Sequence, residues 1–170
     1  MKSQLMVSVA LAASVVPAWA GFGSWSVEIE DDPFSGGRQV AVSISTSIRS
    51  GVLILCDSSK DGVVVRAIPG FAFNGDISGF VPSIEIAIDG KRLISTEGET
   101  GSVGDNLAIS QVSLSVDDTK IFVDAFAKAK KQVAIKDGIS DRPHLMAANG
   151  TTKAGTALRD CLARQPSSKG

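Results

Sequence analysis

The sequence predicts a mainly β domain, a β-sandwich or curled antiparallel sheet with two late α-helices, α+β at the margin, held by one disulfide. Three observations predict it. Apolar residues recur at period two in short runs separated by Gly, Pro and Asp turns through the first two thirds of the chain. Helical spacing replaces that period only in two late segments. The two cysteines fall one in a β-run and the other on a helical stripe. Seventeen Lys+Arg against eighteen Asp+Glu leave a net charge of -1. With no cationic surplus to neutralise phosphates, no nucleic-acid partner is expected.

The first twenty residues read as an address rather than as fold. Lys2 precedes an apolar run from Leu5 to Val16, Pro17 ends it, and Ala18-Trp19-Ala20 is an A-x-A cleavage site. The run is shorter than the ~18 to 20 apolar residues a membrane span needs. Residues 1–20 are therefore expected to be a cleaved Sec-type signal peptide, and 21–170 a single β-rich domain with a C-terminal helix. No membrane anchor is expected after cleavage, and the expected location is the periplasm or the outside.

The elements follow in order. Trp25, Val27 and Ile29 alternate with Ser26, Glu28 and Glu30, a half-buried strand ending in the turn Asp31–Gly37. Val40, Val42, Ile44 and Ile48 continue at period two. Val52 to Cys56 is apolar on both faces and reads as a central strand. The turn Asp57–Gly62 leads to the strand Val63–Ile68. Pro69–Phe80 reads as a loop with Phe71, Phe73 and Phe80 as buried anchors. Ile84, Ile86 and Ile88 form a strand, and Asp89-Gly90 signals a two-residue hairpin into Lys91–Thr96. Glu97–Asp105 is Gly-rich and polar. Leu107 and Ile109 have the opposite parity to Val112, Leu114 and Val116, which predicts a bulge or break near Ser110-Gln111.

The period then changes. Asp117 or Asp118 is positioned to cap a helix whose Ile121, Phe122, Ala125, Phe126 and Ala129 share a face, with Lys128, Lys130 and Lys131 at its C-terminal end. Short strands are read at Gln132–Lys136 and His144–Ala148. Thr151 or Thr152 caps a last helix with Ala154, Ala157, Leu158, Cys161 and Leu162 on one stripe. In an oxidising compartment Cys56 and Cys161 pair, the alternative being two buried free thiols. The bridge staples the terminal helix onto the sheet.

No catalytic residue, cofactor or metal ligand is expected. His144, the sole imidazole, lacks nearby partners and reads as a surface or loop histidine. Asp57–Gly62 resembles the opening of a calcium loop, but Ile68 stands where the bidentate acid is needed. Glu28, Glu30, Asp31 and Asp32 read as a solvated strand edge. Glu85 and Asp89 could be proposed as a glycosidase pair, yet nothing separates their acidities. Glu97–Gly104 lacks phosphate-loop spacing, and Asn149-Gly150-Thr151 fits both a sequon and a helix cap. Trp25 and the loop Phe residues read as packing rather than as a ligand platform.

The order of these pieces resembles the type VI secretion-associated TagO-like (VasI) family of bacterial periplasmic proteins. The resemblance runs through Trp25-Ser26-Val27, Asp32-Pro33-Phe34-Ser35-Gly36, Leu55-Cys56, the helix Ile121–Ala129, Val133-Ala134-Ile135 and Ala157-Leu158-Arg159-Asp160-Cys161. The chain departs at Ile84–Asp89, where the family often has an aromatic-Arg-acid pattern. The resemblance implies an exported β-rich domain with the same cysteine pairing, and it transfers no catalytic residue. The expected function is a non-enzymatic periplasmic accessory or binding domain with a protein partner in the periplasm or cell envelope. The alternative is an inhibitor of cell-wall hydrolases of the lysozyme type, meeting a basic enzyme through Asp31, Asp32, Glu97 and Glu99.

Overall fold

A computed structural model describes residues 23–166. The leader and cleavage site read at residues 1–20 lie outside the described residues. Ten strands and two helices follow in chain order: β1 (Ser26–Asp31), β2 (Arg38–Ser45), β3 (Gly51–Asp57), β4 (Val64–Ile68), β5 (Ser83–Ile88), β6 (Lys91–Glu97), β7 (Glu99–Val103), β8 (Leu107–Ser113), α1 (Val116–Ala127), β9 (Gln132–Lys136), β10 (His144–Ala147) and α2 (Thr151–Leu162). They form a six-stranded sheet, β1-β2-β3-β4-β8-β7, and a four-stranded sheet, β10-β9-β5-β6. The mainly β class with two late helices is thus observed.

Period two sets which face is buried. Val40, Val42 and Ile44 stand opposite Cys56, Ile54 and Val52, and Val65 lies between Ile54 and Val112, so one face of the large sheet is a continuous apolar surface. Ile84, Ile86, Val133, Ile135 and Met146 supply the small sheet's face. Phe122, Phe126 and Leu158, each fully buried, complete the core from the helices. Trp25 stacks edge-on against Phe126 at 4.9 Å, and its indole N–H donates to the Ala147 carbonyl at 3.0 Å. It therefore fastens the start of the fold to the end of β10.

At one of its crossings the chain passes from one sheet to the other through a single residue. β6 is an edge of the small sheet and β7 an edge of the large one, and Gly98 lies between them. A Cβ there would run into Ile84 and the Gln111 carbonyl, so the corner accepts only glycine without displacement. At Asp89-Gly90 both residues have positive φ, 52° and 84°, as a type I′ hairpin turn requires.

Several expectations are corrected. Glu97–Asp105 is not merely a loop, because Glu99–Val103 pairs with β8 as an edge strand. β8 carries no register shift, so the break expected near Ser110-Gln111 is absent. Ala108, Ser110, Val112 and Leu114 all face inward, with the Ser110 hydroxyl sealed among them. Ile29 and Ile48 are 47% and 95% exposed, since β1 is an edge and Ile48 lies in the β2–β3 turn. Phe71 and Phe80 are exposed and Phe73 only half-buried, so the 69–80 loop is not anchored by buried rings.

The helix caps differ too. Ser115 caps α1: its hydroxyl accepts the Asp118 N–H at 3.1 Å and donates to the Asp118 carboxylate at 2.8 Å. The buried stripe is Thr119, Phe122, Val123, Phe126 and Ala127, leaving Ile121 exposed and Ala125 and Ala129 half-buried. Gly150, not Thr151 or Thr152, is the N-cap of α2, and the Thr151 hydroxyl donates to the Ala148 carbonyl instead. The α2 stripe of Ala154, Ala157, Leu158 and Cys161 is buried as expected, and Leu162 packs partly against it.

Cys56 and Cys161 are bonded, with Cα atoms 6.3 Å apart across 105 positions. The bridge fixes α2 on β3, inside the large sheet. Closing so long a loop stabilises by ~4 to 5 kcal/mol if the effect lies in the unfolded chain's entropy. Among the described residues no helix is long and apolar enough to cross a membrane. The disulfide fits an exported protein.

Candidate functional site

Two concave regions hold the residues that bear on function. The first is on the outer face of the six-stranded sheet. Register places Glu28, Ala41, Leu55, Val64 and Ser113 in one row across five strands, with Glu30, Gln39 and Asp57 in the next. A groove of about 490 Å³ runs over these rows, bordered by the β3–β4 turn with Lys60 and Asp61 and by Arg66. Leu55 and Val64 are half-buried and give it an apolar floor. Four carboxylates, from Glu28, Glu30, Asp57 and Asp61, line it with only two cations, so its field is negative. Beyond Arg66 a polar chain continues: Arg66 donates to Oε1 of the Gln111 side chain at 2.8 Å, and Nε2 of the same side chain donates to Glu99 at 2.7 Å.

The turn bordering this groove is closed by its own side chains. Asp57 accepts from the Ser59 N–H at 2.9 Å and the Ser59 hydroxyl at 2.7 Å, and these bonds hold its carboxyl below its ordinary value. The buried Gln165 side chain fills the turn from the C-terminal side, donating to the carbonyls of Asp57 and Gly62. No sequence signal pointed to Gln165, because a lone Gln in a polar tail looks solvated.

The acids singled out by sequence do different jobs. Arg38 makes a bidentate contact to Asp31, at 2.7 and 2.9 Å, and its hydrogen bond lowers the Asp31 pKa. Asp32 accepts from the Ser35 hydroxyl and the Phe34 N–H, which lowers its pKa and fixes the turn. Glu97 and Glu99 flank the β6–β7 corner, whereas Asp31 ends β1 at the other edge of the large sheet. The four residues do not form one surface. Glu85 is drawn below the usual carboxylate range by Lys136 and Arg92, each at 3.3 Å. Asp89 is likewise lowered, by the backbone N–H groups of Gln132, Lys130 and Lys131. Glycoside hydrolysis needs one carboxyl that keeps its proton. Here both are driven the same way.

The second region surrounds His144, which is not a surface or loop histidine. It stands on β10 opposite Ile135, only 8% exposed. Its Nε2 lies 2.9 Å from Oδ2 of the fully buried Asp137. Burial pushes the Asp137 pKa up, but hydrogen bonds from His144, the Ser140 hydroxyl and N–H, and the Ile139 N–H outweigh it, so the carboxyl is held below its ordinary value. Asp137 escaped the sequence reading because one acid before a Gly reads as turn chemistry.

The order of the cluster decides its chemistry. In nucleophilic catalysis the hydroxyl bonds to the imidazole and the carboxylate orients the imidazole from behind. Here the single proton of the Ser140 hydroxyl is shared between Asp137 at 2.8 Å and the Arg142 carbonyl at 3.0 Å, so among the described residues no hydroxyl bonds the imidazole. An open groove of about 640 Å³ lies beside the imidazole, with Pro69, Phe71, Pro143 and Leu145 in its walls. Trp25 is buried in the core, so it forms no ligand platform with the loop Phe residues. Among the described residues no three His, Cys, Asp or Glu side chains converge as a metal-binding group.

No family model, curated protein or solved structure matches the chain.

Proposed function

We propose that this chain is a non-enzymatic accessory domain of the bacterial periplasm, similar to the type VI secretion-associated TagO-like family. In this reading residues 1–20 direct export and are removed, and a protein partner of the periplasm or envelope docks on the outer face of the six-stranded sheet. The observation that carries the reading is the negatively lined groove with an apolar floor between Glu28, Leu55 and Val64. Such a floor with a charged rim suits a protein surface better than a reacting bond. The Ser140–Asp137–His144 order supports it, since the sole imidazole faces no nucleophile.

Capture from a periplasmic extract tests the reading. The wild-type domain retains a partner at low salt, and the double charge reversal Glu28→Lys and Glu30→Lys abolishes retention, since rim charges act mainly on encounter and salt dependence. A folded preparation that retains no protein or wall fragment at any salt sinks the proposal.

The same carboxylate excess supports a second reading, inhibition of cell-wall hydrolases. A basic lysozyme would meet Glu28, Glu30, Asp57 and Asp61 rather than the dispersed Asp31, Asp32, Glu97 and Glu99. Lysozyme activity unchanged by excess protein at low ionic strength removes this reading.

A further inference from the structure

We propose that the groove beside His144 is a binding site for a small aromatic ligand carrying one O–H or N–H donor, of the phenol or indole class, whose donor is taken by the open ring nitrogen of His144. An ionised Asp137 can only accept, so Nε2 of His144 donates to it, and in the neutral ring Nδ1 keeps the lone pair. The ring cannot turn away. Its side chain is 7% exposed, and the carboxylate that holds it is itself held by Ser140 and Ile139. Among the described residues the Ser110 hydroxyl is the one sealed side-chain polar atom without a partner. Nδ1, which no protein group among them bonds, therefore opens outward, and the opening is the groove that His144 lines. The result is a fixed acceptor in an otherwise buried side chain.

The walls select what approaches it. Phe71 and Leu145 are 40% and 57% exposed, and with Pro69 and Pro143 they offer flat apolar surface. Ring faces pack well against such surfaces. The groove's volume of about 640 Å³ lies within the range of small-ligand sites. When the groove is empty, water can satisfy Nδ1. An apolar ring without a donor strips that water and returns nothing, whereas a phenol or indole restores the hydrogen bond. This site shares no residue with the outer-face groove, so either proposal can fail without the other.

Ring-¹⁵N NMR of the histidine-labelled full chain tests it, because His144 is the only histidine and its signals need no assignment. The chain is titrated with p-cresol, 3-methylindole and toluene. p-Cresol and 3-methylindole bind saturably and shift the Nδ1 resonance. Toluene binds at least about tenfold more weakly, the ratio one unmade hydrogen bond to a shielded acceptor produces, and where it binds it moves Nδ1 toward the position of an acceptor without a partner rather than that of a hydrogen-bonded one. Phe71→Ala, an exposed and structurally mild change, weakens p-cresol about fivefold through the lost ring contact while the Nδ1 signal of the free protein stays put. Absence of saturable binding at millimolar ligand, toluene binding as well as p-cresol, or p-cresol binding with an unmoved Nδ1 signal each overturns the proposal.

Discussion

Gln165 holds Gly62 at both ends of its peptide across 103 positions of chain: its Oε1 accepts the Gly62 N–H at 2.9 Å and its Nε2 donates to the Gly62 carbonyl at 2.8 Å. The same Nε2 donates to the Asp57 carbonyl at 3.1 Å. One buried amide thus does for the β3–β4 turn what a neighbouring strand would do. Gln165→Leu keeps the volume and strands those backbone groups. Urea unfolding should show a loss of about 2 to 4 kcal/mol, because buried groups without partners lose their solvation outright. A loss below about 0.5 kcal/mol, the size of an ordinary surface change, would mean that the turn holds itself.

The Cys56–Cys161 bridge lies beside that amide, with Nε2 of Gln165 3.5 Å from the Cys56 sulfur. Replacing both cysteines by alanine should lower stability by roughly 4 kcal/mol. Reduction of the wild type should reproduce most of that loss, leaving the remainder to the cavity left by two sulfurs. Equal denaturation midpoints for oxidised and reduced protein would show that the covalent link adds nothing.

Asp137 gives a pH dependence with a definite sign. Its folded pKa is below that of the unfolded chain, so its contribution is complete above an unfolded value near pH 4 and lost as pH falls through the lower folded value. Asp137→Asn removes the negative charge and turns one of the two accepting oxygens into a donor at every pH. The variant should be less stable than wild type by about 2 to 4 kcal/mol at pH 7, with the gap narrowing toward pH 2. The comparison isolates this group from Asp31, Asp57, Glu85 and Asp89, which titrate alike in both proteins. A gap that stays constant from pH 7 to pH 2 would assign the loss to shape alone.

Gly155 sets two effects against each other. Alanine in mid-helix gains about 1 kcal/mol over glycine. A Cβ at 155, however, would overlap both the Cβ and the backbone of Ala127, where α2 crosses α1. Overpacking of this kind costs about 1 to 3 kcal/mol, and the obstructing atoms cannot swing aside. Gly155→Ala should therefore destabilise by about 1 kcal/mol, read from thermal or urea unfolding. A stabilised variant would show that the two helices part readily.

The elements that sequence revealed are those whose burial follows a period. Val40 to Ile44 and Ile84 to Ile88 each press one face against an apolar layer, and the alternation announces it, while the unbroken apolar run Val52 to Cys56 announces a strand in the middle of its sheet. β7 was hidden because Glu99–Val103 is an edge with little buried on either face, so backbone pairing alone makes it a strand. Ser110 broke the pattern of β8 because a hydroxyl sits where the sheet wanted an aliphatic group. On α1 the stripe lies about one position away from the expected one, since Thr119 and Val123 pack inward and Ile121 does not. Of the candidate regions, neither was legible. The outer groove depends on which residues of five strands fall in register, and the His144 cluster depends on a fold that returns β10 to β9.

For a chain that emerges N-terminus first, the position of the bridge has a kinetic meaning. The Cys56 thiol emerges early and waits for a helix encoded 105 positions later, so the lock closes only after everything from β3 to α2 has emerged. With two cysteines in the chain, no mismatched isomer within one molecule exists to trap it meanwhile. Errors at this step arise between neighbouring copies, and formation of the bridge should grow less efficient as the concentration of unoxidised chains rises.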